Sequence, residues 1–175
     1  MSSIDLTKLR IEKLSMENLH LTEAFDCGDP DLNEFLREDA LNYSTGKIAV
    51  TYLCLYKGEV AGFYCLANDA IEVKGKPKKV LNRLGKPQKT YPAIKIGRLG
   101  IDKGFTRKGV GSRIIEITIG STLAYSNNVG CRYLSVDAYD EPHVTLFYEK
   151  NGFMYLKTKE RKKKIPMYLD LLKRI

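Results

Sequence analysis

The amino-acid sequence predicts an α/β fold, with a mixed central sheet of about six to seven strands, parallel in the middle, and flanking helices. Two observations predict it. Short segments rich in β-branched, aromatic and apolar residues alternate with segments whose apolar residues have helical spacing. Strands on either side of crossing helices then require a parallel portion of the sheet. A length of 175 residues, without repeats or a linker rich in Gly, Ser or Pro, predicts a single domain, residues 1–175.

The first elements are a strand and a helix. Residues 9–14 alternate between apolar and polar side chains, which predicts a strand with one buried face. Asp29 is the expected N-cap of a helix, because Pro30 suits the first helical position that follows it. Apolar residues then continue at helical spacing, and Gly46 is expected to end this helix.

A hairpin follows the first helix. Residues 48–56 and 59–68 are rich in β-branched and aromatic residues, and Lys57-Gly58 supplies the two-residue turn between them. The elements expected after the hairpin are, in chain order, a strand at 93–102, a helix at 109–126, a strand at 133–138, a helix at 142–150, and strands at 153–156 and 167–172.

Cysteine usage and hydropathy indicate the compartment. The cysteines are Cys27, Cys54, Cys65 and Cys131. They are scattered without metal-ligand spacing, so we expect four buried, reduced thiols and no metal site. No apolar run approaches the roughly 20 residues that cross a bilayer, and the N-terminus lacks a signal-peptide pattern. These features predict a cytoplasmic protein without a membrane partner.

Positive charge is concentrated in two segments of a chain whose net charge is +8. Residues 74–89 contain no acid, and residues 157–164 contain one, so the two segments hold almost half of the 29 basic residues. This concentration suits a surface that faces a polyanion, although two solvated loops would have the same composition. The lysines expected to contact such a partner are Lys78, Lys79, Lys162 and Lys163.

The strongest chemical motif is the loop from Thr106 to Gly111. It follows a predicted strand, contains glycines with Arg107 and Lys108, and precedes an apolar helix. Backbone N–H groups, the helix dipole and two cationic side chains would converge there on a phosphate group. The loop matches neither the P-loop nor the dinucleotide fingerprint, which would need Gly where Ile114 stands. An anionic cofactor of another kind is therefore expected.

Two motifs carry a resemblance to a known family. Residues 97–102 (GRLGID) leading into 107–111 (RKGVG) resemble the acetyl-CoA motif of the GNAT N-acetyltransferase superfamily, usually [Q/R]-x-x-G-x-[G/A]. Thr106 replaces the leading Gln or Arg, so Arg107 or Lys108 would cover the diphosphate instead. Residues 146–153 (LFYEKNGF) resemble the second marker, F-Y-x-x-x-G-F.

The resemblance implies the cofactor and its site. Acetyl-CoA would lie between two parallel strands that splay apart in the middle of the sheet, and a backbone N–H near Leu99 to Ile101 would bind the thioester carbonyl. The cofactor-binding residues are then Leu99, Gly100, Ile101, Thr106, Arg107, Lys108, Gly109, Val110, Gly111, Ser112 and Phe147. Gly100 within a strand fits either a close ligand approach or plain packing. Arg98 fits either an ion pair with a neighbouring strand or placement of the substrate.

Tyr148 is the expected catalytic residue. A phenol, with a reference pKa of about 10, is protonated at neutral pH and can donate its proton to a departing thiolate. Its position in the second marker motif favours this role over a structural one. No general base is assigned, and the candidates around the end of the preceding strand and the start of the helix that carries Tyr148 are Asp137, Asp140, Glu141 and His143.

A narrower resemblance covers roughly residues 25–153. Residues 25–28 (FDCG), 32–36 (LNEFL) and 61–67 (AGFYCLA) resemble the branch that contains toxins of bacterial toxin–antitoxin modules. This resemblance implies an aminoacyl-tRNA acceptor, a small ribbon-helix-helix antitoxin as partner and a homodimer. Acetylation of a small-molecule or protein amine remains an alternative, and Thr106 leaves open a catalytically silent binding module.

Overall fold

The computed structural model describes residues 4–73, 89–157 and 164–174. Its seven strands form one mixed sheet in the order β1-β2-β3-β4-β5-β7-β6. The strands are β1 (Arg10–Lys13), β2 (Val50–Tyr56), β3 (Glu59–Ile71), β4 (Tyr91–Ile101), β5 (Tyr133–Tyr139), β6 (Met154–Tyr155) and β7 (Lys164–Asp170). Each predicted strand is confirmed, with ends that differ from the prediction by a few residues.

The sheet is mixed because one connection is a helical crossover. The pairs β1/β2, β2/β3, β5/β7 and β6/β7 are antiparallel. Strands β4 and β5 are neighbours in the sheet, although the helix Val110–Ser126 lies between them in the chain. A connection of that length through a helix joins parallel strands. The predicted parallel portion in the middle of the sheet is therefore confirmed.

The helices begin where capping predicts. The helices are α1 (Pro30–Glu34), α2 (Ala40–Thr45), α3 (Val110–Ser126) and α4 (Pro142–Lys150). The Asp29 carboxylate accepts hydrogen bonds from the backbone N–H groups of Asp31, at 3.0 Å, and Leu32, at 3.3 Å. Asp29 is thus the predicted N-cap, and Pro30 occupies the first turn.

Short and irregular turns were not predicted. A π-helical turn, Phe35–Asp39, separates α1 from α2, where the sequence predicts one continuous helix. A single wider turn is too short to show a period of its own, so periodicity does not reveal it. The 3₁₀ turns are too short to show a period, and they lie at Leu6–Lys8, Leu19–Thr22, Lys103–Phe105 and Leu171–Lys173.

The hairpin turn between β2 and β3 has the predicted two residues. Lys57 and Gly58 both have positive φ, of 52° and 88°, as a type I′ turn requires. The register pairs Tyr56 with Glu59 directly across this turn. The predicted hairpin is confirmed.

The chain packs as two units, the first of which comprises the described residues of Met1–Ala67 and Ile96–Gly120. Its largest cluster of buried residues surrounds Phe25, Phe35 and Phe63, which are each at most 2% exposed. The rings of Phe25 and Phe63 meet edge to face, with centroids 5.4 Å apart. The edge strand β1 is exposed or half-buried along its length, so the buried face predicted for it is only partly covered.

The second unit comprises the described residues of Asn68–Lys95 and Ser121–Ile175. Tyr133 on β5 meets Tyr91 and Tyr168 edge to face, with centroids 5.8 Å and 5.4 Å apart. Beside them, Arg132 donates to the Asp170 carboxylate at 2.8 Å, and both side chains are largely buried. A paired and hydrogen-bonded charge can be buried at this position because each partner offsets the desolvation of the other.

Three sequence predictions need comment. Cys54 and Cys65 are buried, but Cys27 and Cys131 are only half-buried because they lie in loops, and all four thiols are free. No helix among the described residues is long and apolar enough to span a bilayer. Lys78, Lys79, Lys162 and Lys163 lie outside the described residues.

Candidate functional site

The loop predicted to bind phosphate begins where β4 ends. The Asp102 carboxylate accepts a hydrogen bond from the N–H of Gly104 at 2.8 Å, which starts the 3₁₀ turn Lys103–Phe105. Beyond this turn Arg107 and Gly109 have positive φ, of 58° and 85°. Positive φ at a non-glycine residue is uncommon and is maintained only by its surroundings. The loop therefore has one defined conformation before the next helix.

The start of α3 presents unpaired N–H groups beside this loop. The first helical hydrogen bond within it runs from Arg113 N–H to the Gly109 carbonyl, at 3.0 Å. The N–H groups of residues 110–112 precede that bond and have no helical acceptor. No acidic residue stands in the first turn of α3. A helix start of this kind attracts an anion, so the donor set fits a diphosphate.

Gly109 leaves little room for a side chain at the helix start. A Cβ atom added there would lie 3.1 Å from Leu6 Cδ1, and its φ of 85° is unfavourable for other residues. Val110, next in sequence, is 1% exposed and anchors the helix in the core. The glycine predicted from the motif is thus favoured by the backbone conformation, and Leu6 would have to shift slightly to admit a Cβ atom.

The side chains of Thr106, Arg107 and Lys108 differ in their exposure and in the contacts they make. Arg107 is exposed, and Lys108 Nζ lies 5.6 Å from the centre of the Phe105 ring. Thr106, where the family motif usually has Gln or Arg, donates its hydroxyl to the Lys103 carbonyl at 3.0 Å. Thr106 therefore ends the 3₁₀ turn, while Arg107 and Lys108 carry the charge of the loop.

A network of hydrogen bonds around Asp26 holds the first part of the loop. One carboxylate oxygen of Asp26 accepts from Gly28 N–H and from the Asn33 side-chain amide, both at 2.8 Å. The other accepts from Lys103 Nζ at 2.7 Å. These bonds, that of Lys103 first, hold the pKa of Asp26 well below its usual range, and the same bond raises the pKa of Lys103. Residues 25–28 and 32–36 resemble one branch of the family, but nothing in their sequence indicates this network.

The side chains at the end of β4 alternate between the two faces of the sheet. Leu99 and Ile101 are half-buried and pack against the cluster that contains Val110 and Ile114 of α3. Gly100 lies on the opposite face and is buried, and a Cβ atom added to it would lie 2.7 Å from the Phe63 ring. Of the two explanations offered for Gly100, close packing accounts for the missing side chain.

Arg98 makes a contact that the sequence did not indicate. Its guanidinium lies over the ring of Phe35, 3.8 Å from the centroid, and 5.8 Å from that of Tyr43. Within the described part of the chain Arg98 thus makes cation–π contacts, an arrangement beyond the ion pair and the substrate placement considered from the sequence. The π-helical turn brings Phe35 under the guanidinium, which no sequence period indicates.

In the second unit, α4 carries the predicted catalytic tyrosine. Tyr148 is 6% exposed, and its ring meets those of Phe147 and Phe153, with centroids 5.0 Å and 5.3 Å away. Burial raises the pKa of Tyr148 above the ordinary value of a phenol. The backbone N–H of Phe153 also donates to the Tyr148 carbonyl at 3.0 Å, so a hydrogen bond joins the two ends of the marker motif at the C-terminus of α4.

The residues considered as a general base have distinct surroundings. Asp137 is paired with Lys95 at 2.5 Å, and both side chains are about one-third exposed. Glu141 occupies the N-cap of α4 without a capping side-chain bond, and its carboxylate lies 3.5 Å from His143 Nε2. His143 is largely exposed. None of these groups is marked out as a base by its partners.

Comparison with known proteins identifies relatives of this chain. A model of the acetyltransferase (GNAT) family matches residues 14–153. A tRNA-acetylating toxin of Mycobacterium tuberculosis (strain ATCC 25618 / H37Rv) is 31% identical over 116 residues, which are 66% of this chain and 68% of that protein. The structure of AtaT complexed with acetyl-methionyl-tRNAfMet has a TM-score of 0.81 at 26% identity, over 95% of this chain and 96% of that one. The structure of AtaTR bound with AcCoA has a TM-score of 0.77 at 26% identity, with the same coverage.

Proposed function

This chain belongs to the acetyltransferase (GNAT) family and is an acetyl-CoA-dependent N-acetyltransferase, and we propose that its acceptor is the amino group of aminoacyl-tRNA. The observation that carries the proposed acceptor is the 31% identity to a tRNA-acetylating toxin over two-thirds of the chain. The similarity in fold to AtaT, whose structure contains acetyl-methionyl-tRNAfMet, supports it.

The loop geometry supports the proposed site for acetyl-CoA. The N–H groups of residues 110–112 and the side chains of Arg107 and Lys108 would bind the diphosphate, because they combine unpaired donors with positive charge. A backbone N–H of Leu99, Gly100 or Ile101 would bind the thioester carbonyl. Acetyl-CoA supplies the activated acetyl group, and the protein supplies placement and a proton.

Tyr148 would supply that proton. Because burial raises the pKa of its phenol, Tyr148 Oη keeps its proton over the whole physiological range. A free thiol has a pKa of about 8.5, so a thiolate leaving group is a suitable acceptor. Phe147 would line the site beside it.

An aminoacyl acceptor reduces the need for a base. An α-amino group has a pKa of about 7.7–8.0, so a substantial fraction is neutral at pH 7, whereas a lysine side chain, near 10.4, is almost fully protonated. Among the residues considered, none has partners that would identify it as a general base. This is compatible with an α-amino acceptor. Acetylation of a small-molecule amine is the second candidate, and the same assay tests it.

Further properties belong to this proposal. The whole chain, residues 1–175, would form one N-acetyltransferase domain, since the family match spans most of it. The name of the Mycobacterium tuberculosis relative as a toxin supports a toxin–antitoxin role, with a small ribbon-helix-helix antitoxin and a homodimer as the expected assembly. Charged tRNA and acetyl-CoA are found together in the cytoplasm, where we expect the protein to act.

The acceptor is tested by incubation with radiolabelled acetyl-CoA and either bulk charged tRNA or a panel of free amines. Label in acid-precipitable RNA that is released by mild alkaline cleavage of the aminoacyl ester would support the proposal. Label in free amines, with no effect of tRNA, would contradict it and favour the second candidate. Uncharged tRNA is the matched control, because it offers the same phosphates without the amino group.

A further inference from the structure

The residues around Asp26 form a fastening between two distant parts of the chain, which we call the Asp26 clasp. It consists of Asp26, Gly28, Asn33, Asp102 and Lys103. Besides the three bonds to the Asp26 carboxylate, the backbone N–H of Asp26 donates to the Asp102 carboxylate at 3.0 Å. The N–H of Lys103 donates to the Asp26 carbonyl at 2.9 Å. The segment before α1 is thus bonded to the end of β4 through both side chains and backbone.

The Asp26 clasp contains more hydrogen bonds than an isolated ion pair at a protein surface. The side chains of Asp26 and Lys103 are 48% and 63% exposed, and a pair so exposed contributes little to stability by charge alone. Yet every oxygen of Asp26 that can accept has a donor within 3 Å, and Asn33 is itself held by the N–H of Cys27 at 3.0 Å. Such a set of directed bonds restrains geometry rather than adding burial.

The clasp acts on the start of the proposed diphosphate loop. Asp102 uses one oxygen for the clasp and the other to start the 3₁₀ turn Lys103–Phe105. That turn ends at Thr106, immediately before Arg107 with its positive φ. The helix α3 holds the other end of the loop through Val110. A strained residue between two fixed ends keeps its conformation without a ligand.

The clasp also determines which cations are available. Lys103 Nζ is bonded to Asp26, so its charge is already balanced. Among the basic residues of the loop, Arg107 and Lys108 make no ion pair within the described part of the chain, and Lys108 lies beside an aromatic ring. The charge that faces a diphosphate therefore comes from the second half of the loop.

We propose that the Asp26 clasp preorganises the loop 103–109 for the diphosphate of acetyl-CoA, with Asp26 and Asn33 as positioning residues. The proposal rests on the acetyl-CoA site proposed above. It assigns a role to the sequence motif at residues 25–36, which lies outside both marker motifs. Because the clasp acts only through the diphosphate, its loss should weaken donors that contain this group and spare donors that lack it.

The test compares acetyl-CoA with S-acetylpantetheine, which has the same thioester but no diphosphate. In Asp26→Asn, we expect KM for acetyl-CoA to rise on the order of tenfold, with kcat at saturation and kcat/KM for S-acetylpantetheine nearly unchanged. Calorimetric binding of free CoA should weaken by a similar factor, which gives a readout independent of turnover. Lys103→Met should have the same effect, and the double variant should be no worse than either single one.

Glu116→Gln is the matched control, since it removes another exposed ion pair of the same unit, that with Arg113 at 3.0 Å, which joins two residues of α3 and none of the clasp. It should leave both donors unaffected. Equal losses with both donors in Asp26→Asn, or a fall in kcat alone, would overturn the clasp as a positioning device.

Loop variants separate this inference from the proposed site. Arg107→Ala combined with Lys108→Ala should reduce the preference for acetyl-CoA over S-acetylpantetheine, because only the N–H groups of residues 110–112 would then remain for the diphosphate. If these loop variants reduce it and Asp26→Asn does not, the clasp inference is wrong and the site stands. If the loop variants leave the preference intact, the diphosphate lies elsewhere, and both proposals fall.

Discussion

Tyr148 illustrates how a single residue acquires a chemical role from its surroundings. Its phenol lies between two phenylalanine rings and is almost fully buried, which raises its pKa. A phenol with a raised pKa is a weaker acid but stays protonated, so it can still donate a hydrogen bond or a proton to negative charge that develops on a leaving group. The marker motif identified the residue from the sequence, whereas its burial and the direction of its pKa come from the packing of α4 against Phe153.

Replacing Tyr148 by Phe should lower kcat by a factor of about 10²–10⁴, the usual contribution of a general acid. The fold should be retained, because the ring contacts with Phe147 and Phe153 do not involve the hydroxyl. Steady-state kinetics at saturating acetyl-CoA measure the effect.

The matched control is Tyr155→Phe, since Tyr155 is half exposed on β6 of the same unit. Near-normal turnover of Tyr148→Phe would exclude its role as the acid. Toxicity on induction, if the toxin proposal is right, should be relieved by Tyr148→Phe and not by Tyr155→Phe.

At the scale of the element, α3 and the strand beside it depend on glycine in different ways. Gly100 within β4 faces the Phe63 ring at a distance that leaves no room for a methyl group. Gly120 within α3 has no atom within 4 Å of the position of a Cβ. The same residue type therefore marks a tight contact in the strand and a weak point in the helix.

Gly100→Ala should destabilise the protein by about 1–3 kcal/mol, because the added methyl group overpacks a buried site. Gly120→Ala should instead stabilise it by about 0.5–1 kcal/mol, through helix propensity alone. Urea unfolding followed by circular dichroism measures both. An equal response of the two variants would contradict the contrast in packing.

Tyr64 on β3 lies in one buried cluster with Val110 and Ile114 of α3, and it gives the stability of this packing a pH dependence. Burial raises the pKa of Tyr64 to about 12, and the hydroxyl of Thr118 on α3 bonds to it. An unfolded tyrosine ionises near pH 10. The pKa of Tyr64 is higher in the folded than in the unfolded state. The stabilisation of the folded state by its neutral phenol is therefore complete below about pH 10 and is lost as the pH rises towards 12.

Tyr64→Phe should therefore lose the hydroxyl bond at pH 8 but resist alkali better than the wild type. The difference in free energy of unfolding between wild type and variant should move by about 1 kcal/mol in favour of the variant between pH 8 and 11. Urea titrations at the two pH values measure it, with Tyr125→Phe on the exposed part of α3 as control. A difference independent of pH would exclude the buried phenol as its cause.

The elements themselves were largely predictable, whereas irregular turns were not. Alternation and β-branched runs found all seven strands, and Asp29 with Pro30 located the start of α1. Ends were missed by a few residues because pairing with a neighbour, as between β5 and β7, extends a strand beyond its own propensity. The π turn at Phe35–Asp39 was missed because a single wider turn is too short to show a period of its own.

At the scale of the whole molecule, net charge and its distribution concern the acceptor. The two basic segments, residues 74–89 and 157–164, are proposed to contact tRNA, since contacts to phosphate supply most affinity that is independent of sequence. This assignment depends on charge alone. It is therefore testable by reversing that charge.

Glutamate at Lys78, Lys79, Lys162 and Lys163 together should abolish acetylation of charged tRNA and leave acetyl-CoA binding unchanged. A matched variant carries glutamate instead at four lysines that are exposed in the described part of the chain, Lys8, Lys13, Lys150 and Lys173. It has the same net charge and should retain activity on tRNA. Filter binding of tRNA at several salt concentrations and calorimetry with CoA measure the two properties, and equal losses in both variants would contradict a specific role for the segments.

The loop from Thr106 to Gly111 was recognised from the sequence because its determinants are local. A glycine with positive φ, a helix start without an acid and two cations occupy neighbouring positions, so their order along the chain already indicates an anion site. The same holds for Tyr148 within its marker motif. Local chemistry of this kind is readable without a fold.

Only the tertiary structure revealed what holds these residues in place. Asp26 lies 77 residues from Lys103, and Arg98 stacks on Phe35 across a comparable separation, so no spacing in the sequence connects either pair. Such contacts depend on the sheet order and on a π turn, which place distant side chains within a few ångströms. The sequence by itself therefore determined the family and the cofactor class and predicted Tyr148 as the proton donor, while the structure determined the clasp at Asp26, the packing reason for Gly100 and the partner of Arg98.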